Sequence, residues 1–315
     1  GTGREGHQRF LQFQEKDNQM SPKPRAAVLR TAAKVKVIVL RTAGTNCDGE
    51  TVFAFRSCGA DVEAVHINQL IGAKKHLGDY HILAIPGGFT YGDDIESGRI
   101  LANELRLRFK DDLRRFIEEG KLMIGICNGF QVMVKAGILP GLGNEEEKAE
   151  GGFLQKATLI NNDSGKFEDR WVHLKGDGKS VWTQGLPEIV YYPVAHAEGK
   201  FIPADEEVSK RLRENGQIAF RYCHSDGGKV VYPENPNGSV DDIAGITDPT
   251  GRILGLMPHP ERHFLFTQHP FWTRLSGKGR YGQGAQIFEN GVNHIKKKFL
   301  SHQDAESRVE MCQRA

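Results

Sequence analysis

The chain has 315 residues, of which 38% are hydrophobic and 26% charged, with a formal net charge of +2. This is ordinary globular composition, enough for one large domain or two small ones, and near-neutral charge gives no electrostatic case for nucleic acid or an anionic membrane. Five widely spaced cysteines (Cys47, Cys58, Cys127, Cys223, Cys312) lack any CxxC pair, which argues against a disulfide framework or a zinc site and for a reducing, cytoplasmic compartment.

No apolar run reaches the ~18 residues of a membrane span. Residues 1–34 are polar and charged, without the apolar core of a signal peptide, and read as an N-terminal extension, poorly ordered or helical in part. Val35–Leu40 is the first convincing strand. The loop Arg41-Thr-Ala-Gly-Thr-Asn-Cys-Asp48 follows, then a helix over about Gly49–Cys58 closed by Gly59. Val62–His66 and His81–Ile85 are the next strands, the latter ending at Pro86-Gly-Gly88. Asp93 to Glu96 fits a capping box ahead of a helix over about Gly98–Glu119.

Leu122–Ile126 comes next, apolar throughout, as a central parallel strand is when helices cover both its faces. Gly125-Ile-Cys127-Asn-Gly129 has the spacing of a nucleophile elbow, with glycines where neighbouring backbone passes close. The elbow pushes Cys127 out at the strand tip, where the N–H groups and positive end of the following helix favour a thiolate. A lone cysteine is more often a small core residue; the two-glycine frame and the strand-to-helix context weigh against that here.

From Gly141 the pattern changes to Gly- and Glu-rich loops with shorter strands at Ala157–Ile160, Trp171–Leu174 and Ile218–Tyr222. Ile243–Met257 reads as an antiparallel hairpin around Asp248-Pro-Thr-Gly251. A last helix spans about Gln283–Leu300, with Ile287, Phe288, Val292 and Ile295 at helical spacing. Residues 301–315 read as a solvated tail. Strands alternating with helices through residue 136 imply an α/β fold with an open, mostly parallel twisted sheet, helices on both faces and antiparallel additions. Residues 35–300 form one such domain, and its ligands are expected at the carboxyl ends of the strands.

A nucleophile needs a base and an orienting group. Met257-Pro258-His259-Pro260-Glu261 follows the hairpin. In an extended segment residues at i and i+2 point to one side, so His259 and Glu261 can face one pocket, giving a Cys–His–acid arrangement with Cys127. A surface loop histidine is the bland alternative. Acyl transfer also needs oxyanion donors. The Asn128 N–H is one by elbow geometry and the Gly88 N–H is the natural second, in a Gly-Gly turn that can rest in more than one peptide orientation.

These residues, Gly125-Ile-Cys127-Asn-Gly-Phe-Gln131, Pro86-Gly-Gly88 and Pro258-His259-Pro-Glu261, resemble the triad-type (class I) glutamine amidotransferases, whose fold is flavodoxin-like. Gly44-Thr-Asn-Cys-Asp48, Gly88-Phe-Thr-Tyr-Gly-Asp93, Ala195-His-Ala-Glu-Gly199, Asn235-Pro-Asn-Gly-Ser239 and Met257–Arg262 narrow the resemblance to the glutaminase part of the phosphoribosylformylglycinamidine synthase family. The match runs in order over about residues 35–300. It implies a triad of Cys127, His259 and Glu261, with Gln131, His196 and Gly199 at the glutamine; Ala197 departs from the frequent His-Gly-Glu-Gly. It implies ammonia passed to a synthetase subunit that converts formylglycinamide ribonucleotide to formylglycinamidine ribonucleotide in purine biosynthesis, with room for a small bridging subunit. Nothing resembles an ATP site, so no cofactor or metal is expected in this chain, and ATP and magnesium fall to the synthetase partner. The rivals are a stand-alone cysteine amidase of the same fold, the glutaminase subunit of another amidotransferase, and a non-catalytic binding module, which the intact Cys, His and Glu disfavour.

Overall fold

The computed structural model describes residues 33–93, 96–142, 153–177, 179–228, 230–276 and 279–300. The N-terminal extension up to residue 32 and the tail after residue 300 lie outside the described residues. Ala33 and Lys34 are exposed and Val35 is buried.

The first half alternates as expected. Strand β1 (Lys36–Arg41) leads to helix α1 (Asp48–Ser57), then β2 (Asp61–His66), the short α2 (Ile67–Ile71) and β3 (Ile82–Ile85). Gly59, with φ of 83°, closes α1 by donating its N–H to the Arg56 carbonyl at 2.9 Å. The single helix expected from Gly98 to Glu119 is two, α3 (Arg99–Arg108) and α4 (Lys110–Glu118). The chain breaks at Phe109, whose φ of −120° is not helical; turning there keeps Phe109 itself buried along with Leu113 and Phe116 of α4. Asp93 to Glu96 does not open α3, which starts after a left-handed Gly98. Glu96 pairs instead with Arg99 at 2.9 Å and Lys135 at 3.4 Å. Strand β4 (Leu122–Ile126) runs into α5 (Asn128–Lys135).

The second half is β5 (Ala157–Ile160), β6 (Glu168–Gly176), β7 (Ile189–His196), β8 (Lys200–Pro203), α6 (Glu206–Glu214), β9 (Ile218–Cys223), β10 (Ile243–Thr247), β11 (Ile253–Leu256) and α7 (Ala285–Ile295). Of these β7, β8 and α6 go beyond the sequence-based elements. Helix α6 carried its own signals: Asp205 accepts a capping bond from the Val208 N–H at 2.8 Å, Glu206 and Glu207 fill the first turn, and Arg211 and Arg213 the last. The last helix ends at Ile295 and widens into a π-type turn over Lys296–Leu300. Ile287, Phe288, Val292 and Ile295 are all fully buried, and Phe288 meets Phe55 of α1 edge-on with ring centroids 5.0 Å apart.

Among the described residues the main sheet has the order β2-β1-β3-β4-β11-β10-β9-β6-β7. The five strands from β2 to β11 are parallel, and the pairs from β11 to β7 are antiparallel. Every residue of β3, β4 and β11 is buried, as strands covered on both faces must be. Four adjacent parallel strands, β1, β3, β4 and β11, thus release their following loops at one edge. Those loops carry Cys47, Gly88, Cys127 and His259. Among the described residues no helix is long and apolar enough to cross a membrane.

Candidate active site

Cys127 sits between β4 and α5 with φ of 52° and ψ of −107°. A non-glycine residue in such a conformation costs on the order of 1–3 kcal/mol and persists only where its surroundings over-determine it. They do so here. The Cys127 N–H completes the ladder to the Leu256 carbonyl at 2.8 Å, and its carbonyl starts α5 by accepting from Phe130 and Gln131 at 3.0 and 3.2 Å. Both elbow glycines are required by space: a Cβ on Gly129 would lie 1.8 Å from the Ile85 carbonyl oxygen, and one on Gly125 would lie 2.4 Å from Met133 Sδ.

His259 arrives from the loop after β11, beside β4, and its N–H donates to the Pro193 carbonyl at 2.8 Å. Its Nδ1 lies 2.6 Å from Glu261 Oε1, and both residues are 1% exposed. Burial opposes charge on this imidazole, but the Glu261 carboxylate and then the Cys127 sulfur outweigh it, holding the pKa well above the usual histidine value. With Nδ1 tied to Glu261, the buried Nε2 has no partner among the described residues and is the nitrogen left for proton exchange. A Cβ on Gly87 would come within 2.8 Å of His259 Cε1, 3.1 Å of Cys47 Sγ and 3.4 Å of Cys127 Cβ. The first glycine of the turn therefore leaves the room in which histidine and cysteine approach.

Gly88 has φ of 145° and lines the cavity with Cys127. Its N–H makes no hydrogen bond among the described residues. The peptide that carries this N–H is pinned at its other end, because the Gly87 carbonyl accepts from the Asn46 and Cys47 N–H groups at 3.3 and 3.1 Å. Asn128 begins α5; its side chain accepts from the Thr90 N–H at 3.3 Å and donates to Gln131 Oε1 at 2.9 Å. Gln131 in turn donates to the Glu198 carbonyl at 2.5 Å.

The structure brings Cys127, His259, Gly88 and the start of α5 together, and it treats His196 and Gly199 differently. His196 is the last residue of β7. It is 3% exposed, its Nδ1 lies 3.1 Å from Asn162 Oδ1, and burial drives its pKa down to about 3, with His259 adding to the shift. The same Asn162 oxygen accepts the Gly199 N–H at 2.9 Å. Gln131, His196 and Gly199 are not among the residues that line the cavity beside Cys127. Strand β7 nevertheless reaches the site, since the Ala195 carbonyl is 3.7 Å from Cys127 Sγ.

The cavity measures about 230 Å³ and is lined by Asn46, Cys47, Gly88, Phe89, Cys127, Phe167, Asp169, Ala195, His259 and Arg262. Cys47 and Arg262 are members of the site that the sequence did not single out. Arg262 Nη2 donates to the buried Cys47 Sγ at 3.1 Å, and that sulfur is 4.0 Å from His259 Nδ1. One ligand atom each from Cys47, His259 and Glu261 lie within 4.8 Å of one another, as a metal would need. The Arg262 guanidinium contacts that sulfur, and His259 Nδ1 is bonded to Glu261 Oε1.

The sequence pattern of the CobB/CobQ-like glutamine amidotransferase domain matches residues 34–295. The chain belongs to this family. Within the family of glutamine amidotransferases it is similar to subunits named phosphoribosylformylglycinamidine synthase subunit PurQ. That of Dehalococcoides mccartyi is 47% identical over 268 residues, covering 84% of this chain and 99% of the relative. That of Methanococcus maripaludis is 43% identical over 276 residues, covering 83% and 98%. Among solved structures, PurLQS from Thermotoga maritima aligns with a TM-score of 0.62 at 28% identity, over 84% of this chain and all of that one. The amidotransferase resemblance carried by the elbow, the Gly-Gly turn and the His-Pro-Glu segment is thereby confirmed, as is the α/β fold it implied.

Proposed function

We propose that this chain is the glutaminase subunit of a phosphoribosylformylglycinamidine synthase, with Cys127, His259 and Glu261 as its catalytic triad. The observation that carries the reading is the buried His259–Glu261 pair at 2.6 Å, with Nε2 unpartnered next to a cysteine held on a strained elbow. Cys127 Sγ attacks the side-chain amide carbon of glutamine, and the thiol proton resides on His259. The developing oxyanion takes the Gly88 and Asn128 N–H groups. Histidine returns the proton to departing ammonia, leaving a γ-glutamyl thioester. Water, deprotonated by the now neutral His259, cleaves the thioester to glutamate. Gln131, His196 and Gly199 bind the glutamine.

Ammonia then passes to a synthetase that uses ATP and magnesium to convert formylglycinamide ribonucleotide to formylglycinamidine ribonucleotide in purine biosynthesis, in the cytoplasm. The names of the relatives and the Thermotoga assembly support this partner, and the S component of that assembly fits the small bridging subunit. The test is Cys127→Ala in the reconstituted complex. Glutamine-dependent synthesis is lost while synthesis from added ammonia persists; loss of both would make Cys127 a structural residue. Cys127→Ser is also poor, because a hydroxyl is a far weaker nucleophile at neutral pH.

A further inference from the structure

A second cavity, of about 500 Å³, sits where the chain between His263 and Gln283 meets β6 and β7. It falls within the ~300–1,000 Å³ of pockets that enclose a small ligand. It shares no lining residue with the cavity at Cys127, and no step of the glutaminase chemistry uses it. Its lining is aromatic. His173 of β6 and Tyr191 of β7 are register partners with rings stacked at 4.4 Å. The His263 and His269 rings follow, with centroids 5.4 Å apart, and Phe271 and Tyr281 are half exposed at the mouth. None of the described residues lining it is Lys, Arg, Asp or Glu.

The polar groups inside are fixed. His263 Nδ1 donates to the Tyr191 carbonyl at 2.8 Å, which leaves Nε2 an acceptor. His269 Nδ1 accepts the Phe271 N–H at 3.0 Å, which leaves Nε2–H a donor. Neither Nε2 has a hydrogen-bond partner among the described residues. Burial holds both rings below the usual histidine pKa, so they are uncharged at neutral pH. Gln283 adds an amide whose Oε1 accepts the Tyr191 N–H at 2.9 Å and whose NH₂ remains. These imidazoles are not a metal set: among the described residues the ligand atoms that gather within 4.8 Å are those of Cys47, His259 and Glu261. Charge stands only at the rim. The Arg274 guanidinium is 6.0 Å from the Phe271 centroid and that of Arg280 is 5.5 Å from the Tyr281 centroid. Both arginines are exposed and make no ion pair among the described residues.

We infer that this cavity binds a nucleoside monophosphate, with the base among His263, His269, Phe271 and Tyr281 and the phosphate on Arg274 and Arg280. A nucleobase is planar and uncharged, and it presents donors and acceptors side by side on one edge, as the two fixed imidazoles do in complement. Aromatic faces stack with any base. A lining without charge would leave an ionic group unpaired inside, so the ionic part of the ligand is confined to the rim, where guanidinium forks suit phosphate. The site stands whether or not the glutaminase reading holds. Its walls are nonetheless continuous with the catalytic segment: Tyr191 lies two residues before Pro193, whose carbonyl holds the His259 N–H at 2.8 Å, and His263 lies two residues after Glu261.

The test is calorimetric titration of the full chain with AMP, GMP, CMP and UMP, beside adenosine, which lacks the phosphate, and ribose 5-phosphate, which lacks the base. Trp171, whose ring lies 5.1 Å from those of Tyr191 and His263, reports occupancy through its fluorescence. At least one nucleotide is expected to bind and to change the Trp171 emission. The double variant Arg274→Gln, Arg280→Gln is expected to raise its Kd about 10-fold or more and to spare adenosine, as loss of charge-assisted bonds does. Phe271→Ala is expected to weaken nucleotide and adenosine alike and to leave ribose 5-phosphate unchanged. These side chains are exposed, and circular dichroism confirms that each variant folds. Ribose 5-phosphate binding as tightly as the nucleotide would reduce the site to an anion contact and overturn the assignment. Absence of binding by all four nucleotides, or binding indifferent to both variants, would overturn it too and leave the aromatic mouth to a protein partner.

Discussion

At the residue scale the site depends on where one proton sits. Burial opposes charge on His259, but Glu261 and Cys127 raise its pKa well above the usual histidine value, which favours the protonated ring. His259→Ala removes both the proton store and the acid for ammonia, and is expected to lower glutaminase kcat/KM on the order of 10²–10⁴-fold. Glu261→Gln keeps a partner at Nδ1 and orients the ring without its charge, so it is milder. Adding Cys127→Ala to His259→Ala adds little, because members of one catalytic unit are not additive. Steady-state kinetics in which Glu261→Gln is the worse of the two would reverse the roles given to these residues.

At the element scale, glycines and one buried histidine decide how closely elements approach. A Cβ on Gly87 meets the His259 ring at 2.8 Å and Cys47 Sγ at 3.1 Å, whereas one on Gly129 meets the backbone oxygen of Ile85 at 1.8 Å. A ring can shift where a central strand cannot. Gly87→Ala should therefore keep nearly wild-type thermal stability and lose glutaminase activity, while Gly129→Ala should lose stability itself. Thermal unfolding measured beside activity separates the two. His196, buried at the end of β7, has its pKa pushed down to about 3. Unfolding restores it to about 6.5, so the unfolded state binds a proton that the folded state refuses. This contribution to stability is complete above about pH 6.5 and is lost as pH falls toward 3. Urea unfolding of His196→Asn should show a shallower loss over that window than wild type; parallel curves would mean that His196 is not held neutral.

At the scale of the whole molecule, the question is how far the site is assembled before a partner docks. The Gly87–Gly88 peptide, proposed to hold the oxyanion, is anchored to the Asn46 and Cys47 N–H groups, and the Gly88 N–H, which lines the cavity with Cys127, has no hydrogen-bond partner among the described residues. The isolated chain should therefore already form the covalent adduct. Trapping of Cys127 by a glutamine-analogue electrophile is expected to proceed within about 10-fold of the rate in the complex, since absence of one oxyanion donor would cost on the order of 10²–10³. A rise of the larger size on adding the synthetase would show that docking turns this peptide, breaking the bonds to the loop after β1.

What the sequence determined by itself is what the local backbone dictates. Gly125 and Gly129 frame Cys127 because a tight elbow admits no Cβ, and the apolar runs of β1, β3 and β4 mark a buried parallel sheet; His259 and Glu261 do meet, but across a 3-10 turn over Pro260–His263 rather than in the extended segment expected from the sequence. The alternation of the first half is legible for the same reason, since each element there pairs near its neighbours in the chain. Contacts between distant segments were decided only by the tertiary structure. Strand β11 inserts beside β4 although about 130 residues separate Ile124 from its partner Leu254, and this pairing is what delivers His259 to Cys127. Strand β7 lies at the edge of the sheet yet brings its Ala195 carbonyl to Cys127 Sγ, and no periodicity within Ile189–His196 announces that. Arg262 stands next to Glu261 in a motif already recognised, but its contact is with Cys47, 215 residues away in the chain. Turn chemistry and burial patterns are written in neighbouring residues; strand order and the lining of a cavity come from packing the whole chain at once, where side chains remote in sequence compete for the same space.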